Sequence, residues 1–268
     1  MVIAYNASMP RSGSELIQVI LSQHPNVVTS STSPLLDYVF NSAGNLNSEE
    51  AKSQPYEERE RYFYSFAKGG MHAYAEEYCK HKEDAQLYID KNRGWMFGYH
   101  FLNQLYPNPK FICMVRDLAE IVASMEKMHK RSLNIFNTIS TLTERVDTWC
   151  SEAPVGLALK RVVDSINQRF DNVLYVKYEN FCQAPQEVCN TICNFLDLPN
   201  YTFDFNNITK TVNEHQDVYS MSRDIHTINP VLHEATTDAD SILGSDIAAN
   251  VRRYGAQYQN TFGYSVPE

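Results

Sequence analysis

Two groups of side chains in this chain have the types and spacing to hold an anion. The first is Pro10-Arg11-Ser12-Gly13-Ser14. Gly13 permits a tight turn and close backbone approach, Ser12 and Ser14 add hydroxyl donors, and Arg11 adds a cation. A helix beginning at Ser14 adds unsatisfied N–H groups and the positive end of its dipole. Together these make a phosphate cradle, although a plain strand-to-helix turn with a serine cap uses the same residues. The second group is Arg116-Asp117 with Ser124 eight residues on. That interval is about two helical turns, so the hydroxyl points back along the face that starts at Arg116. The plainer reading of Arg116 is a surface partner for Asp117. Two cradles on neighbouring strands suit a nucleotide with phosphates at both ends.

Both groups need strand ends to hold them. Residues 2–7 read as a short apolar strand, and Leu16, Ile17, Ile20 and Leu21 form one stripe of a helix ended by Pro25. Residues 27–30 read as a second strand and 34–40 as a helix. Residues 47–83 read as a charged, tyrosine-rich helical layer. A strand at 87–90 and a turn at Arg93-Gly94 precede a helix over 95–105. Residues 111–115 are a continuous apolar run, the mark of a strand buried on both faces. The helix after it opens with Asp117 and Glu120 in capping-box spacing. A strand at 173–177 and a helix at 185–196 repeat the unit, residues 204–242 are irregular, and 247–259 form a last amphipathic helix. Strands alternating with helices predict an α/β fold. The expected arrangement is a P-loop-like three-layer α/β/α domain, a central parallel sheet flanked by helices, over residues 1–268.

Composition removes several classes. The 268 residues include 23 Lys+Arg and 32 Asp+Glu, a net charge of −9, and 43% are hydrophobic. That acidic balance lacks the broad positive field of a nucleic-acid binder, so any anionic ligand depends on local donors. No apolar run approaches the ~18 residues of a membrane span, and residues 1–5 lack the features of a secretory leader. The expected compartment is the cytoplasm. Six cysteines without metal or redox spacing are expected to be buried free thiols. The ten glycines form no dinucleotide fingerprint, and there is no Walker loop, nucleophile elbow or zincin helix. The eight histidines stand apart, so no metal site is expected.

Pro10-Arg11-Ser12-Gly13-Ser14, followed by Leu16 and His24-Pro25, resembles the 5′-phosphosulfate-binding loop of sulfotransferases. Residues 111–115 with Arg116-Asp117 and Ser124 resemble their 3′-phosphate-binding segment. Tyr175-Val176-Lys177-Tyr178-Glu179-Asn180, Pro185, and Phe195-Leu196-Asp197-Leu198-Pro199 resemble a later strand and helix of the family. Asp90-Lys91-Asn92-Arg93-Gly94-Trp95 and His226-Thr227-Ile228-Asn229-Pro230 extend the match over nearly the whole chain. The chain is most similar to soluble bacterial-type sulfotransferases and more distantly to tyrosylprotein sulfotransferases.

The resemblance implies 3′-phosphoadenosine 5′-phosphosulfate (PAPS) as donor and 3′-phosphoadenosine 5′-phosphate (PAP) as product, without a metal. The acceptor it implies is a hydroxyl or amine of a small molecule or glycan; a homodimer stays open. Arg11 matches the cation that neutralises the bridging oxygen, and Lys91 a second cation beside the transferring group. Ser12, Gly13, Ser14, Glu15 and Leu16 fall at the 5′-phosphate. Arg116 and Ser124 match the 3′-phosphate ligands, Tyr178 a residue near the nucleoside, and Ser222 and Arg223 the late loop that closes over the nucleotide.

Two positions depart from the family pattern. Glu15 stands where a small hydroxyl residue, often Thr, is usual; an unpaired carboxylate there costs donor binding. It is expected to face outward or pair with Arg11 or Lys91, with receipt of the acceptor's proton as the alternative. In the tyrosylprotein branch a Glu lies about twenty residues past the loop Arg, where this chain has Thr29-Ser30-Ser31-Thr32-Ser33, so the general base is unassigned. His100, His226, His72 and Glu15 are its candidates. Trp95 and Tyr99 are expected in the core, the tyrosines of 56–78 in helix packing, and Lys127, Lys130 and Arg131 on a solvated face. A P-loop-like small-molecule kinase is the alternative enzyme, disfavoured by the missing Gly-Lys-Ser/Thr. A non-catalytic nucleotide-binding module of the same fold is the third reading.

Overall fold

The computed structural model describes residues 1–131, 141–210, 228–233 and 237–268. Five strands, β1 (Val2–Asn6), β2 (Val27–Thr32), β3 (Leu87–Lys91), β4 (Lys110–Val115) and β5 (Val173–Lys177), form one parallel sheet in the order β2-β3-β1-β4-β5. The chain leaves β1 toward β2 and leaves β4 toward β5. The direction of the connections therefore reverses between β1 and β4, which is where open α/β sheets bind ligands. Register brings the ends together: Asn6 lies beside Lys91 on one side and Ile112 on the other.

The first connections carry α1 (Ser14–Leu21), α2 (Leu35–Ala43), a 3-10 turn at Gly44–Asn47, α3 (Glu49–Lys52) and α4 (Tyr56–Cys79). A 3-10 turn at Arg93–Met96 and α5 (Tyr99–Leu105) follow β3, and α6 (Leu118–Arg131), α7 (Leu142–Ser151) and α8 (Val155–Asn167) follow β4. After β5 come α9 (Tyr178–Gln183), α10 (Pro185–Phe195), α11 (Ala239–Leu243), α12 (Ser245–Tyr254) and α13 (Ala256–Thr261). This is the expected three-layer α/β/α fold.

Two cores explain the apolar run of β4. Phe111, Cys113 and Val115 join Tyr5, Trp95 and Tyr99 in one core, closed by α2, α4 to α8 and α11 to α13. Ile112 and Met114 join Ala4, Ile89 and Val176 in the other, closed by α1, α9 and α10. Period-2 alternation with both faces covered leaves no polar position in a central strand. Five cysteines are buried and all six are free thiols, as expected. On α4, Ala67, Met71, Ala75 and Cys79 form the buried stripe. Tyr56 and Tyr62 stand exposed, contrary to the packing expected of that tyrosine set. They fall outside that four-residue stripe. Lys127, Lys130 and Arg131 are exposed as expected.

The segment over 95–105 is split, because Asn92 Oδ1 accepts Gly94 N–H (2.9 Å) while Asn92 Nδ2 donates to Ser33 O (3.0 Å). That pins the turn after Lys91 to the end of β2. The last helix is likewise two, broken at Gly255. The sequence reading names no element for α7, although Thr141 and Glu144 form a complete capping box. Arg145 of α7 also grips Glu126 of α6 through two bonds, Nη2–Oε1 at 2.7 Å and Nε–Oε2 at 3.0 Å. Glu126 is fully buried and two residues from Ser124. Removing one partner of a buried pair leaves an uncompensated charge. Lys130 Nζ also stands 3.6 Å from Glu126 Oε1. Arg145→Met is expected to lower stability by about 3 kcal/mol in urea unfolding; a loss below about 0.5 kcal/mol, the range of ordinary surface substitutions, would show that Lys130 alone carries Glu126.

Candidate functional site

The loop after β1 runs on alongside β4: Ala7 N–H donates to Ile112 O (2.9 Å) and Met9 N–H to Met114 O (3.1 Å). Ser8 Oγ accepts Met114 N–H (2.8 Å) and donates to Asn6 Oδ1 (2.5 Å). Asn6 Nδ2 donates to Ser14 O and Gln18 Oε1, both 3.3 Å. Buried Gln18 in turn donates to Ser30 O and Ile89 O (2.9 and 3.0 Å). One chain of amides thus fixes α1 over three strand ends. Arg11 (φ 55) and Gly13 (φ 85) are both left-handed, a conformation that is strained for Arg11 by roughly 1–3 kcal/mol. A Cβ at position 13 would stand 2.7 Å from Tyr178 Cδ2, so only glycine fits there. Ser12 is fully buried and its hydroxyl donates to Met9 O (2.6 Å). That hydroxyl braces the loop, which leaves the backbone of the loop and Ser14 to meet a ligand.

The second cradle meets the first. Arg11 Nε donates to Ser124 Oγ (3.1 Å), and Arg116 Nη1 donates to Arg11 O (3.4 Å). Arg116 is 5% exposed, with its Cζ 4.6 Å from the centre of the Tyr178 ring. Its Nη2 donates to Glu120 Oε2 and Thr237 Oγ1, both 3.2 Å. Glu120 also accepts Thr237 N–H (3.1 Å) and Ala239 N–H (3.2 Å). Half of the anticipated capping box is present, since Asp117 Oδ1 accepts Glu120 N–H (3.0 Å). The Glu120 carboxylate turns to Arg116 and residues 237–239 instead. Burial pushes the Glu120 carboxyl upward more than Arg116 pulls it down. Asp117 is held by Arg252 Nε (3.3 Å) and Gln259 Nε2 (2.7 Å). From α13, Tyr258 Oη accepts Arg116 N–H (3.0 Å) and donates to Arg116 O (2.8 Å), while Gln259 Oε1 accepts Leu118 N–H (3.1 Å). Arg116 is therefore a buried, clamped cation rather than a surface one. Burial, then the charges of Arg116 and Arg131, lower the pKa of Arg11.

Lys91 and Glu15 form the third part. Lys91 Nζ lies 2.5 Å from Glu15 Oε2, Ser31 Oγ donates to Glu15 Oε1 (2.5 Å), and Lys210 Nζ stands 3.6 Å from Oε1. The Lys91 and Glu15 side chains are only 8% and 10% exposed. Of the two arrangements expected for Glu15, the pairing with Lys91 is present and the outward-facing one is not.

A cavity of about 590 Å³ joins the three parts, within the usual range for small-ligand sites. Arg11, Gly13, Ser14, Glu15, Leu16, Lys91, Arg116, Ser124 and Tyr178 line it, and Ser12 does not. Ser222, Arg223 and His226 lie outside the described residues. His100 binds Gln168 Oε1 (2.9 Å) and His72 packs on Tyr106; neither lines the cavity. Trp95 and Tyr99 are in the core as expected. Sequence reasoning missed Asp37, Glu120, Lys210, Thr237, Tyr258 and Gln259. Only Glu120 carried a signal, its spacing from Asp117. His24 shows two distant motifs meeting. Its Nδ1 accepts Asn26 N–H (3.1 Å), so Nε2–H donates to Pro199 O (3.0 Å).

The profile of the sulfotransferase family matches residues 7–202. A Caenorhabditis briggsae protein whose name carries the words protein-tyrosine sulfotransferase is 26% identical over 201 residues, 73% of this chain and 65% of that one. The Drosophila melanogaster protein-tyrosine sulfotransferase is 24% identical over 204 residues, 74% of this chain and 38% of that one. The chain thus spans less than two thirds of these relatives. A Mycobacterium avium sulfotransferase structure superposes with a TM-score of 0.57 at 15% identity, covering 98% of this chain and 77% of that one. The sulfotransferase domain of a Synechococcus olefin synthase gives 0.52 at 19% identity, covering 100% and 96%. These structures share the fold. With the profile covering well over half its length, the chain belongs to the sulfotransferase family.

Proposed function

We propose that the chain moves a sulfuryl group from PAPS to an acceptor hydroxyl or amine. The observation that carries this reading is the convergence of Arg11, Ser124 and Arg116 at the ends of adjacent strands β1 and β4. Four cationic side chains, Arg11, Lys91, Arg93 and Arg116, line the cavity together with two carboxylates, Glu15 and Asp37. A chain of net charge −9 has gathered positive charge at one place, which fits a donor with a phosphate at each end. PAPS supplies an activated sulfuryl group, and the residues supply position and charge stabilisation. Loop residues 13–16, at the start of α1, offer N–H groups to the 5′-phosphate. Arg11 is placed to neutralise charge on the oxygen that leaves with that phosphate, and Lys91 is a second cation beside it. Arg116 and Ser124 are assigned to the 3′-phosphate, Tyr178 to the nucleoside, and Ser222 and Arg223 to a contact over it. Relatives named protein-tyrosine sulfotransferases add a tyrosyl hydroxyl to the small-molecule and glycan hydroxyls as acceptor.

Calorimetric titration of PAP without metal, with ADP and AMP as controls, tests the donor site. Micromolar binding that depends on the 3′-phosphate is expected; equal affinity for ADP would overturn the reading and favour a kinase-like or non-catalytic site. Arg116→Ala is expected to weaken PAP binding by about 1.5–3 kcal/mol, the worth of one charged hydrogen bond. Arg11→Ala is expected to reduce turnover by a larger factor than it weakens PAP. Equal losses would assign Arg11 to ground-state binding only.

A further inference from the structure

We propose that Glu15 is the general base, taking the acceptor's proton as the sulfuryl group arrives; this rests on the sulfotransferase reading above. In that reaction the acceptor oxygen bonds to sulfur while the bond from sulfur to the bridging oxygen breaks. The bridging oxygen keeps the electron pair and stays with PAP. The hydroxyl proton passes to the Glu15 carboxylate and then to water.

The proton is released where the sulfuryl group moves, beside Arg11 and Lys91. Among the described residues of the cavity wall, the ordinary proton acceptors are Glu15, Asp37 and His233. Both ring nitrogens of His233 are engaged, with Val231 O (3.1 Å) and Asn229 Nδ2 (3.0 Å). Asp37 is exposed in the first turn of α2. Glu15 is buried, four residues from Arg11, with Oε2 at 2.5 Å from Lys91 Nζ. A base needs an orienting partner, and Lys91 and Ser31 hold this carboxylate from two sides. An acceptor oxygen bonding to sulfur turns acidic as it reacts, so a well-placed carboxylate suffices as base.

The two departures from the family pattern are in contact here. Ser31, within the hydroxyl-rich stretch 29–33, touches Glu15 Oε1. A carboxylate attached at position 31 would reach the same space as the one attached at position 15. This permits a swap. Glu15→Gln, Glu15→Thr and the double variant Glu15→Thr/Ser31→Glu are compared by PAP calorimetry and by transfer from labelled PAPS to water and to a tyrosine-containing peptide. Glu15→Gln is expected to slow transfer 10²–10⁴-fold and to remove the acid limb of the pH–rate profile, with the Kd for PAP within threefold of the parent. The double variant is expected to recover at least tenfold over Glu15→Thr. Transfer by Glu15→Gln within threefold of the parent, or a double variant that recovers nothing, would overturn the proposal. So would a loss of PAP affinity in proportion to turnover, which would make Glu15 a support of the loop. A parent that binds PAP but transfers to neither acceptor would also overturn it and leave the donor site standing. A parent that does not bind PAP would instead sink the sulfotransferase reading itself.

Discussion

A half-buried guanidinium, Arg11, and a buried one, Arg116, share one cavity wall and repel each other, and much of the site is built to hold them there. Arg11 and Arg116 meet through one carbonyl, that of Arg11, which accepts from Arg116. Like charges held near one another in a low-dielectric wall cost free energy. Lowering of the Arg11 pKa by burial and by Arg116 is the same cost seen from one side. Glu120, the Ser124 hydroxyl and the face of Tyr178 offset part of it. The donor proposed above, with an anionic group at each end, would offset more of it.

Tyr178 shows how few contacts hold the strand ends together. It is the first residue of α9, directly after β5. Its ring edge fills the place where a side chain at position 13 would go, and its face lies over Arg116. One aromatic ring therefore fits the end of β1 against the ends of β4 and β5. The left-handed turn at Arg11 and Gly13 is tolerable because the amide chain from Ser8 through Asn6 to Gln18 fixes the backbone on both sides of it. Strain at the loop and order around it are two views of one arrangement.

This explains what was legible in the sequence. Glycine at 13, the Arg-to-Ser interval and the apolar run of β4 are local signals, because each reports a constraint within a few residues. They mark both loops. Pairing of Glu15 with Lys91 was anticipated as one of two outcomes, since an ion buried at a strand end needs a partner within reach. The clamp on Arg116 was not legible. Tyr258 and Gln259 act from more than 140 residues away, and a tyrosine and a glutamine on an amphipathic helix look like any others. Lys210 is equally silent. The helix α7 was missed for a different reason: its Thr141–Glu144 cap was a local signal left unread.

The clamp also bears on how the family profile maps to the site. The profile ends at residue 202, yet Thr237 contacts the Arg116 side chain, and Tyr258 binds its backbone N–H and C=O. Gln259 and Arg252 fix Asp117 in the same way. The last thirty or so residues thus hold a cation that lies in the middle of the chain, and leaving such buried groups unpaired costs about 1–3 kcal/mol each. The other end of the cavity is built differently. Asp37, Asn92, Arg93, Ile228, Asn229 and residues 231–233 line it from a helix start, a turn and a loop. If the sulfuryl transfer proposed above holds, a fold that fixes one end of its cavity through the core and draws the other from separate connections can keep one chemistry while its acceptors diverge.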